Sequence, residues 1–465
     1  MKFKVKDMNI ATGGVRVVLM NHKEAFRRNL AVGDRFYAKR NTKEIVAVLD
    51  LAYSDSTVPA GKLGLFEETL ADLGAKNGDD ISIRLAGKPK SLHFIKQKLN
   101  GHRLTPEQIQ TIVKDIVSKN LTDVEITYFV AGCYTRGLDM PETVALTKAM
   151  IKTGDVLNIG CYPVIDKHCI GGVAGNRTTM VVIPMLTAAG YCIPKTSSRS
   201  ITSPAGTADT MEVLANVSLT TKEIMKVIKK AGACMVWGGA VNLAPADDDI
   251  INVEHPLSID AEGNLLASIM AKKGSVSATH VMIDIPVGID AKIESRKEAR
   301  HLKKQFEKLG KYLNMKIEVK ITDGSEPIGN GIGPALEARD VLWLLSNDPR
   351  APQDLRKKAV YIASEIFRLW PLTGKPIDDP RGYAEYILDS GKAMEAMRRI
   401  IEAQGKKITD HKKIKLAKHS FDYKSRRKGA IRHMCARTIN CSRFTQKARP
   451  SYSTQKSLRS SMTGS

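Results

Sequence analysis

The sequence predicts an α/β protein in successive parts: a small β-rich N-terminal domain, a helical domain, and a larger mixed α/β domain. Three observations predict it. Apolar and polar residues alternate in short runs over residues 1–86, a helical period takes over from Leu104, and beyond about residue 156 apolar β-like runs interleave with amphipathic helical patterns.

In residues 1–86 the runs Val15-Arg16-Val17-Val18-Leu19 and Glu44-Ile45-Val46-Ala47-Val48 carry the two-residue period of strands, and Gly13-Gly14, Gly33 and Pro59-Ala60-Gly61 supply turns. Residues 87–155 read as helical. Thr105-Pro106-Glu107-Gln108 offers a capping hydroxyl, a proline at the first helical position and a capping-box glutamine, and Ile109, Ile112, Val113, Ile116 and Val117 follow at helical spacing. Thr122 with Glu125, and Pro141-Glu142 through Gly154, bound further helices.

Residues 156–410 form the α/β part. The segments 178–187, 281–285 and 317–321 read as apolar strands, and 224–231, 294–309 and 334–345 as helices. After residue 410 the pattern decays. Residues 411–465 read as an incomplete C-terminal region ending, from Cys441, in a basic tail too poor in aliphatic residues to fold.

Composition excludes several function classes. The N-terminus MKFKVKDMNI is charged from its second residue and has no apolar segment of a secretory signal, and no run reaches about 18 apolar residues, so no membrane association is predicted. The seven cysteines show no metal-ligand spacing, which argues for a reducing cytoplasm and against a disulfide framework. The net charge of +23 suggests nucleic acid, yet fifteen Lys and Arg against one acid lie from His411 onward, and no aromatic-interleaved basic stripe appears. Specific nucleic-acid binding is therefore not expected. A mildly positive body suits anionic substrates.

Two loops carry candidate chemistry. The run Asp166-Lys167-His168-Cys169-Ile170-Gly171-Gly172-Val173-Ala174-Gly175-Asn176 leads a cation into glycines whose backbone N–H groups can approach an anion, although a tight turn with a solvated lysine gives the same pattern. Lys195 to Asp209 (KTSSRSITSPAGTAD) gathers hydroxyl donors and an arginine, suited to a phosphoester or to a Ser/Thr-rich surface loop; Thr207 is placed to cap a helix. Gly329-Asn330-Gly331-Ile332-Gly333 departs from the dinucleotide fingerprint and reads as a turn into a helix starting at Pro334.

These loops, followed by Val236-Trp237-Gly238-Gly239-Ala240, Asn242-Leu243-Ala244-Pro245-Ala246-Asp247 and Ala267-Ser268-Ile269-Met270-Ala271-Lys272-Lys273, resemble in order the thymidine phosphorylase superfamily, and within it the AMP phosphorylase branch, over residues 1–435. The resemblance implies a helical domain of 87–155 joined by 245–275, facing the remaining α/β domain across a cleft. It implies inorganic phosphate against Lys167, Ser197 and Thr207. It places a nucleoside 5'-monophosphate against Gly172, Ser198, Arg199, Ser200, Ile201, Thr202, Ser203, Thr207, Ser268 and Lys292. Asp260 matches the residue that protonates the leaving base. The family needs no metal and no cofactor, and its members are homodimers or larger homo-oligomers, here expected to pair through the Ile109 to Val117 stripe. Cys169 stands where pyrimidine nucleoside phosphorylases carry serine. That nucleoside branch is the closest rival; it grips its base with an arginine absent from Asn252-Val253-Glu254-His255-Pro256. A phosphoribosyltransferase would need magnesium-binding acids, for which the sequence shows no clear candidate.

Overall fold

A computed structural model describes residues 1–200, 205–257, 259, 261–418, 421–422 and 434; the expected tail from Cys441 lies outside them. The chain divides into two compact units, Met1–Ala149 with Ala246–Asn264, and Met150–Pro245 with the residues from Leu265 onward.

In the first unit β1 (Lys2–Asp7), β2 (Val17–Asn21), β3 (Arg35–Arg40), β4 (Lys43–Ala52), β5 (Lys62–Leu65) and β6 (Asp80–Leu85) close into a barrel of order β1-β5-β2-β4-β3-β6. Alternation makes this possible: Phe3, Val5, Val18, Met20, Phe36 and Ala38 point into one core, and closure leaves no open strand edge. Two short helices, α1 (His22–Arg27) and α2 (Glu67–Leu73), interrupt the strands.

Helices α3 (Ser91–Leu99), α4 (Pro106–Val117), α5 (Asp123–Arg136) and α6 (Met140–Thr153) follow. The caps are those the sequence predicts: the Gln108 amide donates to Thr105 Oγ1 while Thr105 N donates to Gln108 Oε1, and Thr122 with Glu125 repeats the box on α5. Buried Lys98 on α3 pairs with buried Glu142 on α6 at 2.8 Å, and Leu104 N donates to the same carboxylate, so the charge is compensated on several sides. Ile109, Ile112, Val113 and Ile116 are fully buried within this unit. The stripe expected to pair subunits is thus spent on the core of one chain.

The second unit carries the parallel strands. β7 (Ile165–Cys169), β10 (His280–Val287) and β11 (Lys316–Asp323) form a sheet of order β11-β10-β7, and β8 (Ile193–Ser197) pairs β9 (Ala233–Trp237). Between and after them run α7 (Thr178–Ala188), α8 (Thr207–Glu212), α9 (Thr221–Ala231), α10 (Pro245–Glu254), α11 (Glu262–Ser275), α12 (Arg296–Tyr312), α13 (Pro334–Leu345), α14 (Gln353–Leu369), α15 (Pro380–Asp389) and α16 (Lys392–Ala403). Of these, α10 and the start of α11 belong to the first unit.

Two expectations are corrected here. Residues 178–187, read as a strand, form α7, and every one of them is buried. A helix covered on all sides shows no 3.6-residue polar period, so its sequence looks like a buried strand. Cys161 and Cys192, 31 residues apart, are disulfide-bonded. The strand segments that follow them lie side by side, with Ile165 N donating to Cys192 O, and sequence spacing carries no trace of that. Gln404, just past α16, closes the sheet edge at β9: its Oε1 accepts Met235 N at 2.8 Å, and its Nε2 donates to the carbonyls of Met235 and Asn216.

Candidate active site

The two loops singled out by composition leave the carboxyl ends of parallel strands β7 and β8, where ligands of open α/β sheets bind. The contacts described below lie within the second unit.

Strand β7 presents Lys167 inside the protein, 1% exposed. Its Nζ donates to Thr179 Oγ1 at 3.2 Å and lies 3.6 Å from Asp284 Oδ2. Asp284, on β10, also meets Lys358 of α14 at 3.2 Å and accepts from Thr322 Oγ1 at 2.6 Å. Burial alone would raise the Asp284 carboxyl, but the ammonium groups of Lys167 and Lys358 hold it below its ordinary value. Burial in turn lowers Lys167. Two lysines thus share one carboxylate, and the surplus positive charge is complementary to an anion.

One residue earlier, Asp166 faces Lys195 at 3.1 Å and Lys273 at 2.8 Å, all three buried. Burial brings Lys195 down to about 7, with Asp166 opposing the shift and Lys273 adding to it. The folded protein therefore releases this proton near pH 7, whereas the unfolded chain holds it to about 10.5. Above pH 7 the unfolded state binds more protons, so this group makes stability rise with pH. Relative to Lys195→Met, the parent gains roughly 2 kcal/mol between pH 7 and 9 by denaturant unfolding, and an unchanged difference refutes the assignment. Burial, then Lys273, Lys195, Lys167 and Lys272, keep His168 well below its ordinary value, so it is neutral at pH 7.

Beyond β8 the loop is built around Asp209. Its Oδ2 accepts from Ser200 N at 2.8 Å and Gly206 N at 2.9 Å, and its Oδ1 from Arg199 Nη1 at 3.0 Å. Arg199 also forks onto Glu212, at 2.7 and 3.1 Å, and lies over the Trp237 ring. Both terminal guanidinium nitrogens are engaged, so Arg199 shapes the loop. Gly206, not Thr207, is the cap residue, and Thr207 is the first residue of α8. A side chain at 206 would meet Ser198 O at 2.4 Å, so only glycine lets the loop fold back on itself. Ser197 Oγ donates to Val236 O at 3.2 Å.

Gly172 and Lys292 touch directly. At φ +87°, a Cβ on Gly172 would lie 2.2 Å from Lys292 N. Gly172→Ala therefore costs at least about 2 kcal/mol of stability and displaces Lys292, which thermal unfolding checks. Ser268 lies on α11. Ile201, Thr202, Ser203 and Asp260 fall outside the described residues.

Sequence reasoning did not single out Thr179, Asp284, Lys358 and Arg177. An acid inside the apolar strand Val281 to Ile285 was a readable signal, since a buried carboxylate needs a partner. Lys358 and Arg177 gave none, because their partners are remote in sequence. Among the described residues no His, Cys, Asp and Glu cluster has the arrangement of a metal site, and no helix is long and apolar enough to cross a membrane.

The helical bundle domain of a glycosyl transferase family matches residues 92–154, and the α/β domain of that family matches residues 161–278. The AMP phosphorylase of Pyrococcus furiosus is 44% identical over 405 residues, covering 87% of this chain and 79% of that protein. That of Methanococcus vannielii is 42% identical over 413 residues, covering 89% and 81%. Among solved structures, anthranilate phosphoribosyltransferase from Thermus thermophilus superposes with a TM-score of 0.56 at 17% identity, over 67% of this chain and 98% of that one, a likeness of fold.

Proposed function

The chain belongs to the AMP phosphorylase family, and on that ground we propose that it cleaves AMP, and also CMP and UMP, with inorganic phosphate, yielding ribose 1,5-bisphosphate and free base. The observation that carries this reading within the molecule is the surplus of buried lysines over carboxylates at β7, adjoining a loop built of serines and Thr207.

In this reading Lys167, Ser197 and Thr207 hold phosphate, and Gly172, residues 198–203, Thr207, Ser268 and Lys292 hold the nucleotide. A phosphate oxygen attacks C1' as the C1'–N bond breaks through an oxocarbenium-like state, and the departing base takes a proton from Asp260. Lys167 faces the attacking anion and stabilises it. The active protein is at least a dimer; α5 leaves Val124 and Tyr128, one helical turn apart, exposed for such contact. The decisive experiment measures adenine release and ribose 1,5-bisphosphate formation from AMP with and without phosphate. Absence of release, or release independent of phosphate, overturns the reading.

A further inference from the structure

We propose that Arg177 is a positioning residue that orients the Thr207 hydroxyl to donate a hydrogen bond toward a phosphoryl oxygen. The inference rests on the phosphate-site reading of this loop. Arg177 lies in the turn between β7 and α7 and is 5% exposed. Two of its nitrogens donate hydrogen bonds, Nη1 to Thr207 Oγ1 at 3.0 Å and Nη2 to Ala205 O at 2.8 Å, and Nε forms an ion pair 2.6 Å from Glu337 Oε2 without hydrogen-bond alignment. Glu337, buried on α13, also accepts from Thr210 Oγ1 at 2.9 Å and Gly333 N at 3.1 Å. The glycine turn before α13 thereby anchors the guanidinium that touches the phosphate loop.

A hydroxyl has one proton and two acceptor positions, and arginine only donates. Arg177 therefore occupies one acceptor position of Thr207 Oγ1, and the Thr207 proton must point elsewhere. Among the described residues this hydroxyl donates to none, and Thr207 is only partly buried. The proton and the one remaining lone pair are left for whatever occupies the loop, and an oxygen that can only accept takes the proton. A deprotonated phosphoryl oxygen satisfies it; a neutral hydroxyl gains less, because hydrogen bonds to charged acceptors are the stronger. Glu337 balances the guanidinium, so Arg177 contributes direction rather than net charge.

That oxygen belongs either to inorganic phosphate or to the nucleotide 5'-phosphate, and kinetics separate the two. The test compares kcat and both KM values for the intact enzyme, Thr207→Val, the pair Arg177→Met with Glu337→Gln, which leaves no unpaired buried charge, and all three changes together. Thr207→Val and the pair should each raise the same KM about tenfold, with the other KM within about threefold. The combination should exceed either by no more than about threefold, because both remove one contact. A rise in the phosphate KM assigns the oxygen to inorganic phosphate, and a rise in the AMP KM assigns it to the nucleotide. An additive, roughly hundredfold combination, or a pair that leaves both KM values unchanged, overturns the proposal. Should the pair not fold, Arg177→Lys, which keeps the charge but loses the fork, takes its place against Thr207→Val. If the parent itself releases no base, the functional reading fails instead. Calorimetric titration of phosphate and of AMP into the same proteins then decides the Arg177 to Thr207 coupling alone.

Discussion

AMP is expected to be turned over with a kcat/KM at least about a hundredfold above that of adenosine at saturating phosphate, and the same is expected for CMP and UMP against their nucleosides. The loop from Ser197 to Thr207 explains the size of the effect. Asp209 ties Ser200 N, Gly206 N and Arg199 together, so the two flanks of the loop are held before substrate arrives. Each charge-assisted hydrogen bond to a 5'-phosphate contributes roughly 1.5 to 3 kcal/mol, and two lost contacts exceed a factor of one hundred. A neutral 5'-hydroxyl cannot use them. Arg199→Ala erodes the preference by a different route from a lost contact: with Glu212 and Asp209 holding its terminal nitrogens, its removal loosens the turn and weakens AMP turnover while barely affecting adenosine. Equal turnover of any nucleoside and its monophosphate restores the nucleoside phosphorylase reading.

Asp260→Asn lowers kcat by roughly 10²-fold at neutral pH while leaving AMP binding in place, because asparagine keeps the shape of the side chain but carries no transferable proton. Pre-steady-state base release, compared with AMP affinity by titration, separates the two effects. A variant within about threefold of the parent removes Asp260 from the mechanism. His168 does not replace it: burial and four surrounding lysines keep its imidazole neutral at pH 7.

What the sequence made legible was local. The caps of α4 and α5, the proline opening α13 and the glycine turn after β7 each lie within a few residues, and local chemistry decides them. The candidate site was half legible for the same reason. Lys167 and the Ser197 to Thr207 loop are contiguous, whereas Asp284, Thr322 and Lys358 reach Lys167 only through strand register and helix packing. Arg199 was legible as a cation but not as a committed one, since Glu212 is 13 residues away. The uniform burial of α7 erased the period that would have marked it as a helix. The assignment of Asp260 came from resemblance alone.

The bond between Gln404 and Met235 also has a history in time. The two residues are 169 positions apart, so on a ribosome adding about 5–20 residues per second the strand edge at Met235 waits on the order of ten to thirty seconds for its partner. During that interval β9 offers unpaired backbone groups to any neighbouring nascent chain, as every open strand edge does. The Met235 backbone completes its hydrogen bonding only when Gln404, just past α16, emerges. This opens a window of vulnerability to aggregation after β9 is made, and the arrival of Gln404 closes it.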